Sequence, residues 1–155
     1  MCWYAYIATP KPLSNLIFRP NPQEGPPPLL HFSRIEATDD AIRDNLVRPL
    51  FKAPNLYYVG SSSGCSCHLA HTGMEFDDEG NISYQWDESA QALLDFIRQY
   101  AMEEPLEMYA IWEDAWDDGL ANQPLEYVEI AVSRLTMENY FDLTSRRFYT
   151  FRNLS

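Results

Sequence analysis

The sequence predicts an α+β fold: a single domain over residues 1–155 with a mostly antiparallel or mixed sheet, two main helices and a long proline-rich loop. Three observations carry this reading. Aromatic and β-branched runs of strand length are interspersed with helical periodicities, without regular βαβ repetition. The 155 residues are 46% hydrophobic and 14% aromatic, which suits one continuous core. Seven of the eleven prolines fall between Pro10 and Pro28, where missing N–H donors and a fixed φ exclude both a helix and an inner strand.

The elements follow in chain order. Trp3 to Ala8 is an apolar, aromatic run without a turn residue, hence a strand near the core. The proline-rich stretch is expected to lie as an extended strap over aromatic side chains. Thr38, Asp39 and Asp40 offer a cap and acids to the positive end of a helix. That helix carries Ala41, Ile42, Leu46, Val47, Leu50 and Phe51 at helical spacing, and Pro49 should end or kink it. Asn55 to Gly60 is a second buried strand. The segments around Met74 and Ile82 flank Asp77–Asn81, whose Gly80 and Asn81 tolerate positive φ, so a β-hairpin is expected. Asp87 or Ser89 caps the clearest helix, with a stripe of Ala90, Leu93, Leu94, Ile97, Tyr100 and Ala101 that stops before Pro105. Leu106 to Trp112 alternates as a strand with Leu106, Met108, Ala110 and Trp112 on one face, and the pattern recurs from Leu125. Thr136 is expected to cap a short helical turn through Phe141. Arg147 to Arg152 reads as a final edge strand with arginines at its ends.

The net charge of −12 is uneven: Ala53 to Ser133 holds sixteen acids and one base, Arg98. Such a field repels phosphate backbones and anionic lipid, so nucleic acid and membrane surfaces are excluded as partners while basic proteins and cations are favoured. No apolar run reaches the length of a membrane-spanning helix, and the start lacks the basic and long apolar regions of a secretory signal. The chain is therefore expected to be soluble and cytoplasmic. Three cysteines, an odd number, fit a reducing compartment.

Two of those cysteines, with two of the three histidines, lie within Cys65–His71. If this stretch is extended, Cys65, Cys67 and His71 share one face and His68 points to the other. Two thiolates at that spacing can converge on one cation. With Cys2 from the first strand and one imidazole, Cys2, Cys65, Cys67 and His68 or His71 would make a Cys3His set suited to zinc, although Cys-x-Cys is tighter than the usual spacing of structural zinc sites. Three further readings stand beside the metal. The cysteines can be a redox pair, small buried hydrophobes in a tight turn, or reactive thiols, since the preceding Gly60–Gly64 is rich in amides able to form an anion-binding nest. A Cys-x5-Arg phosphate loop is excluded because no arginine falls between Lys52 and Arg98, and no nucleotide-binding glycine motif is present. The residues assign no catalytic role.

A second candidate surface is Ile111–Gly119, where Trp112, Asp114, Trp116, Asp117 and Asp118 place acids among two tryptophans. It lacks the spacing of a calcium loop and reads first as a hydrated acidic turn. As a recognition patch it would suit a basic protein partner, in the manner of an immunity or inhibitor protein.

The early Met-Cys and the tyrosine strand that leads through Gly60 into Gly64-Cys65-Ser66-Cys67 resemble a family of small bacterial proteins with no assigned activity. The resemblance covers about a quarter of the chain. It implies no reaction, but it links Cys2, Cys65 and Cys67 as a trio; His68 stands where that family is expected to have glycine. Met1-Cys2 also resembles the opening of N-terminal-nucleophile amidotransferases, from which the chain departs at Trp3.

Overall fold

The structure is a computed structural model that describes residues 2–19, 29–36, 42–61, 65–70, 72–86, 88–136 and 146–154. Its elements are β1 (Trp3–Thr9), β2 (Ile17–Phe18), β3 (Leu30–Arg34), α1 (Ile42–Val47), β4 (Asn55–Ser61), α2 (Cys67–Ala70), β5 (Thr72–Phe76), β6 (Ile82–Trp86), α3 (Glu88–Ala101), β7 (Leu106–Trp112), α4 (Glu113–Asp117), β8 (Glu126–Ala131) and β9 (Arg147–Arg152). Seven strands form one mixed sheet in the order β2-β3-β4-β1-β7-β9-β8, and β5 and β6 pair apart as a hairpin. Every neighbouring pair is antiparallel except β8 and β9. The α+β class with a mixed sheet is thus observed.

Strand alternation divides the interior into two layers. On one face Trp3, Ala5 and Ile7 of β1, Tyr57 and Val59 of β4, Met108 and Ala110 of β7 and Tyr149 and Phe151 of β9 pack against Leu93, Leu94, Phe96 and Ile97 of α3. On the other, Tyr6, Ala8, Leu56, Tyr109, Ile111 and Phe148 pack with Val47, Ala115 and Ala121. The central strands are therefore apolar on both faces, which is why β7 buries Tyr109 and Ile111 opposite the stripe the sequence marks. Burying the four large α3 side chains contributes about 6–12 kcal/mol before conformational entropy is subtracted. A charge at Leu93, which is fully buried, would undo that layer.

Local chemistry sets several boundaries. The α-helix of α1 ends at Val47 and continues as a 3-10 turn over Arg48–Leu50, which accommodates Pro49 near its start. The expected cap at Thr38–Asp40 lies outside the described residues, as do Asp87 and residues 137–141 of the turn expected after Thr136. In the hairpin Asp77 accepts from the Glu79 and Asn81 amides at 2.9 and 2.8 Å, and Gly80 takes φ +81°. These bonds, the Asn81 side chain's first among them, hold the Asp77 carboxyl below its usual value.

Three expectations are corrected. Cys67–Ala70 is one turn of helix rather than a strand continuation. Arg147–Arg152 is not an edge strand: β9 lies between β7 and β8, and its arginines pair with Glu126 and Glu129 of β8 at 3.0 and 3.3 Å. The acidic stretch after Trp112 is a short helix, α4, rather than an open turn. The proline-rich segment is described only through Arg19 and from Leu29 onward; within it Ile17–Phe18 adds an edge strand to β3, and Leu30 opens β3 itself. Among the described residues no helix is long and apolar enough to cross a membrane.

Candidate functional site: a thiol cluster where two strands part

The ladder between β1 and β4 runs from Thr9↔Asn55 to Tyr6↔Tyr58. Its next rung would join Ala5 to Val59, and there the hydroxyl of Ser66 intervenes instead. The Ala5 amide donates to Ser66 Oγ at 3.1 Å, and Ser66 Oγ donates to the Val59 carbonyl at 2.5 Å. Ser66 is fully buried, so its hydroxyl replaces a ladder hydrogen bond that would otherwise be lost. The strands are held apart by one side chain.

Further bonds fix the turn that carries Ser66. The Ser61 amide donates to the Cys65 carbonyl at 2.7 Å, and the Ser66 amide donates to the Tyr58 hydroxyl at 3.2 Å. Leu69 is fully buried in the α3-side layer, and Cys67 packs against that layer. The two cysteines flanking Ser66 are thereby placed beside the N-terminal end of β1, each half-buried. The Trp3 amide donates to the Cys67 sulfur, and the thiols of Cys67 and Cys65 share a hydrogen bond. Cys2 is exposed. Glu113 clamps its backbone: the Glu113 amide donates to the Cys2 carbonyl at 2.9 Å, and the Cys2 amide donates to Glu113 Oε2 at 3.3 Å. From there Cys2 acts on Cys67 electrostatically. The structure thus brings Cys2, Cys65 and Cys67 to one end of the sheet.

The electrostatics favour the protonated thiol at Cys67. Its bond from the Trp3 amide favours the thiolate, but burial, the hydrogen bond with Cys65 and repulsion from Cys65 and Cys2 together outweigh it and raise the pKa. Burial likewise raises the Tyr58 hydroxyl, against the two bonds from Ser66, with Cys65 and Cys67 adding to the rise. Cys67 is therefore not a preformed thiolate, and the nest of amides considered for activating it lies partly in residues 62–64, outside those described. Among the described residues no three side chains of His, Cys, Asp or Glu come together as a set able to hold a metal ion. The side chains of His68 and His71 are outside the described set.

The second candidate surface is arranged differently from a patch of exposed aromatic anchors. Trp112 is half-buried, its ring 4.7 Å from that of Trp3, and Trp116 packs edge-on to Tyr4 at 6.1 Å. Asp114, Asp117 and Asp118 are exposed.

Three residues of the thiol site escape the sequence reading: Ser66, Tyr58 and Glu113. The one local signal was the small polar residue between the cysteines; its partners are distant in sequence. No family model matches the chain, and neither does any curated protein or solved structure.

Proposed function

We propose that the protein works through its thiol cluster, with Cys65 and Cys67 as a dithiol that cycles with an intramolecular disulfide and Cys2 as an exposed third thiol beside it. The observation that carries this reading is the placement of two half-buried thiols, close enough to act on each other, on either side of a Ser66 anchored between two strands. In the reducing direction, one thiolate of the pair attacks a disulfide RSSR and expels RS⁻, which takes up a proton. The other then attacks the first protein sulfur and releases the second RS⁻. Two electrons and two protons pass from the pair to RSSR, and a bond between Cys65 and Cys67 closes. Only one residue separates the cysteines, so the closed ring is strained and its reduction potential is raised.

Zinc, which would need His68 or His71 beside the three sulfurs, is the alternative reading that one assay separates from the redox one. Treating the pre-reduced protein with a small aromatic disulfide tests the redox reading: a bridge between Cys65 and Cys67 that retains no aromatic thiol, unchanged in Cys2→Ser but replaced in Cys65→Ser and in Cys67→Ser by a mixed disulfide on the remaining cysteine, is the expected result. Protein isolated with stoichiometric zinc and inert to the disulfide until the metal is chelated would replace the redox reading with the metal one. A second reading, recognition of a basic protein, is supported by the exposed carboxylates of α4 and by the acidic middle of the chain.

A further inference from the structure

Away from the thiols, the segment after β1 and the C-terminal half of α3 enclose an open cleft of about 870 Å³, within the range of small-molecule sites. One wall is aromatic: the Phe96 ring lies 5.4 Å from Phe18, 4.6 Å from Phe32 and 5.8 Å from Tyr100. Its charged groups fall into two classes. Lys11 and Glu104 pair across the rim at 3.0 Å and neutralise each other. Arg19 and Glu103 line the same cleft outside that close pair: Glu103 acts on Lys11 from a distance, and Arg19 has no ion-pair partner among the described residues.

Arg19 adds an independent sign of an absent ligand. Its Nε is buried and has no hydrogen-bond partner among the described residues. An unpaired buried donor costs free energy that an arriving acceptor recovers, and a guanidinium meets a carboxylate through two parallel bonds. Glu103 sits just past the end of α3, where the negative pole of the helix adds to its own charge and favours a cation.

We propose that this cleft binds a free aromatic α-amino acid, its ring against Phe18, Phe96 and Tyr100, its carboxylate on Arg19 and its ammonium toward Glu103. A zwitterion matches both charges at once, whereas an anion alone would meet Glu103 and a cation alone would meet Arg19.

The test is titration of the intact protein with L-phenylalanine and L-tryptophan, followed by calorimetry and by the amide resonances of Gln99 and Tyr100. Phenylpropionate, which lacks the amine, and phenethylamine, which lacks the carboxylate, should each bind about tenfold more weakly or worse, the loss of one charged hydrogen bond. Arg19→Gln should bind phenylalanine no better than phenethylamine, and Glu103→Gln no better than phenylpropionate, with melting unchanged for the exposed Glu103→Gln. Absence of saturable binding by either amino acid overturns the proposal. So does equal binding of the truncated ligands to the unmodified protein, an outcome independent of how the variants fold.

Discussion

Replacing Ser66 with alanine tests the structural basis of the thiol site. The hydroxyl serves two fully buried backbone groups, the Ala5 N–H and the Val59 C=O. The alanine methyl still occupies the gap between β1 and β4, so the strands cannot close to form the missing rung. Each orphaned buried group costs about 1–3 kcal/mol, and some relief from entering water brings the pair to about 3 kcal/mol. For a chain of this length that corresponds to a melting temperature lower by about 6–12 °C. Urea unfolding should show the same loss as a lower midpoint with an unchanged slope, and hydrogen exchange at Ala5 should accelerate. An alanine at the exposed Ser133 is the control, expected within about 0.5 kcal/mol of the parent. A Ser66→Ala protein that melts with its parent, and keeps Ala5 protected, would refute the assignment of Ser66 as the bridge between the strands.

Three further outcomes follow from the same geometry. Tyr6 is fully buried and its hydroxyl donates to Asp44 at 2.7 Å, so Tyr6→Phe should cost about 2 kcal/mol in urea unfolding; a cost below about 0.5 kcal/mol would mean the bond contributes nothing. Glu107 accepts from the Lys52 and Ala53 amides at 2.9 and 3.1 Å, so Glu107→Ala should destabilise by about 1–2 kcal/mol and Glu107→Gln by less, an order that the same assay can reverse. The third concerns pH. Because folding raises the Cys67 pKa, its contribution to stability is full below the unfolded value and is lost as pH rises through the folded one. Alkylation of native Cys67 should accordingly have its midpoint above that of the unfolded chain, and Cys65→Ser should lower it; a midpoint at or below the unfolded value contradicts the geometry.

The sequence exposes the fold where a residue's own neighbours decide its structure. β1, β4 and β7 are apolar runs, α3 carries a clean stripe, and Gly80 with Asn81 marks the hairpin turn, so each was readable. β3 was not, because only Leu30 and Phe32 of its five residues are buried and prolines precede it. The terminal arginines of β9 suggest an edge, yet strand order depends on partners: Phe151 lies opposite Leu106 on one side and beside Ile130 on the other. The thiol site divides in the same way. Clustering of Cys65 and Cys67, and the place of Cys2 at a strand start, were visible as composition and position. The helical turn at Cys67 was hidden, because its glycine- and serine-rich approach carries no helical signal and Leu69, fully buried, anchors it only through the tertiary core. Ser66 was invisible for a related reason: its partners, Ala5 and Val59, meet it only in the folded sheet.

The most direct measurement is to equilibrate the native protein with a glutathione redox buffer, block free thiols, and map the bonds by peptide mass. A single internal bridge joining Cys65 to Cys67, formed and broken reversibly with Cys2 still free or carrying glutathione, is the predicted result. Glutathione on Cys65 or Cys67 with no bridge between them at any ratio, or thiols that react only after denaturation, would contradict it.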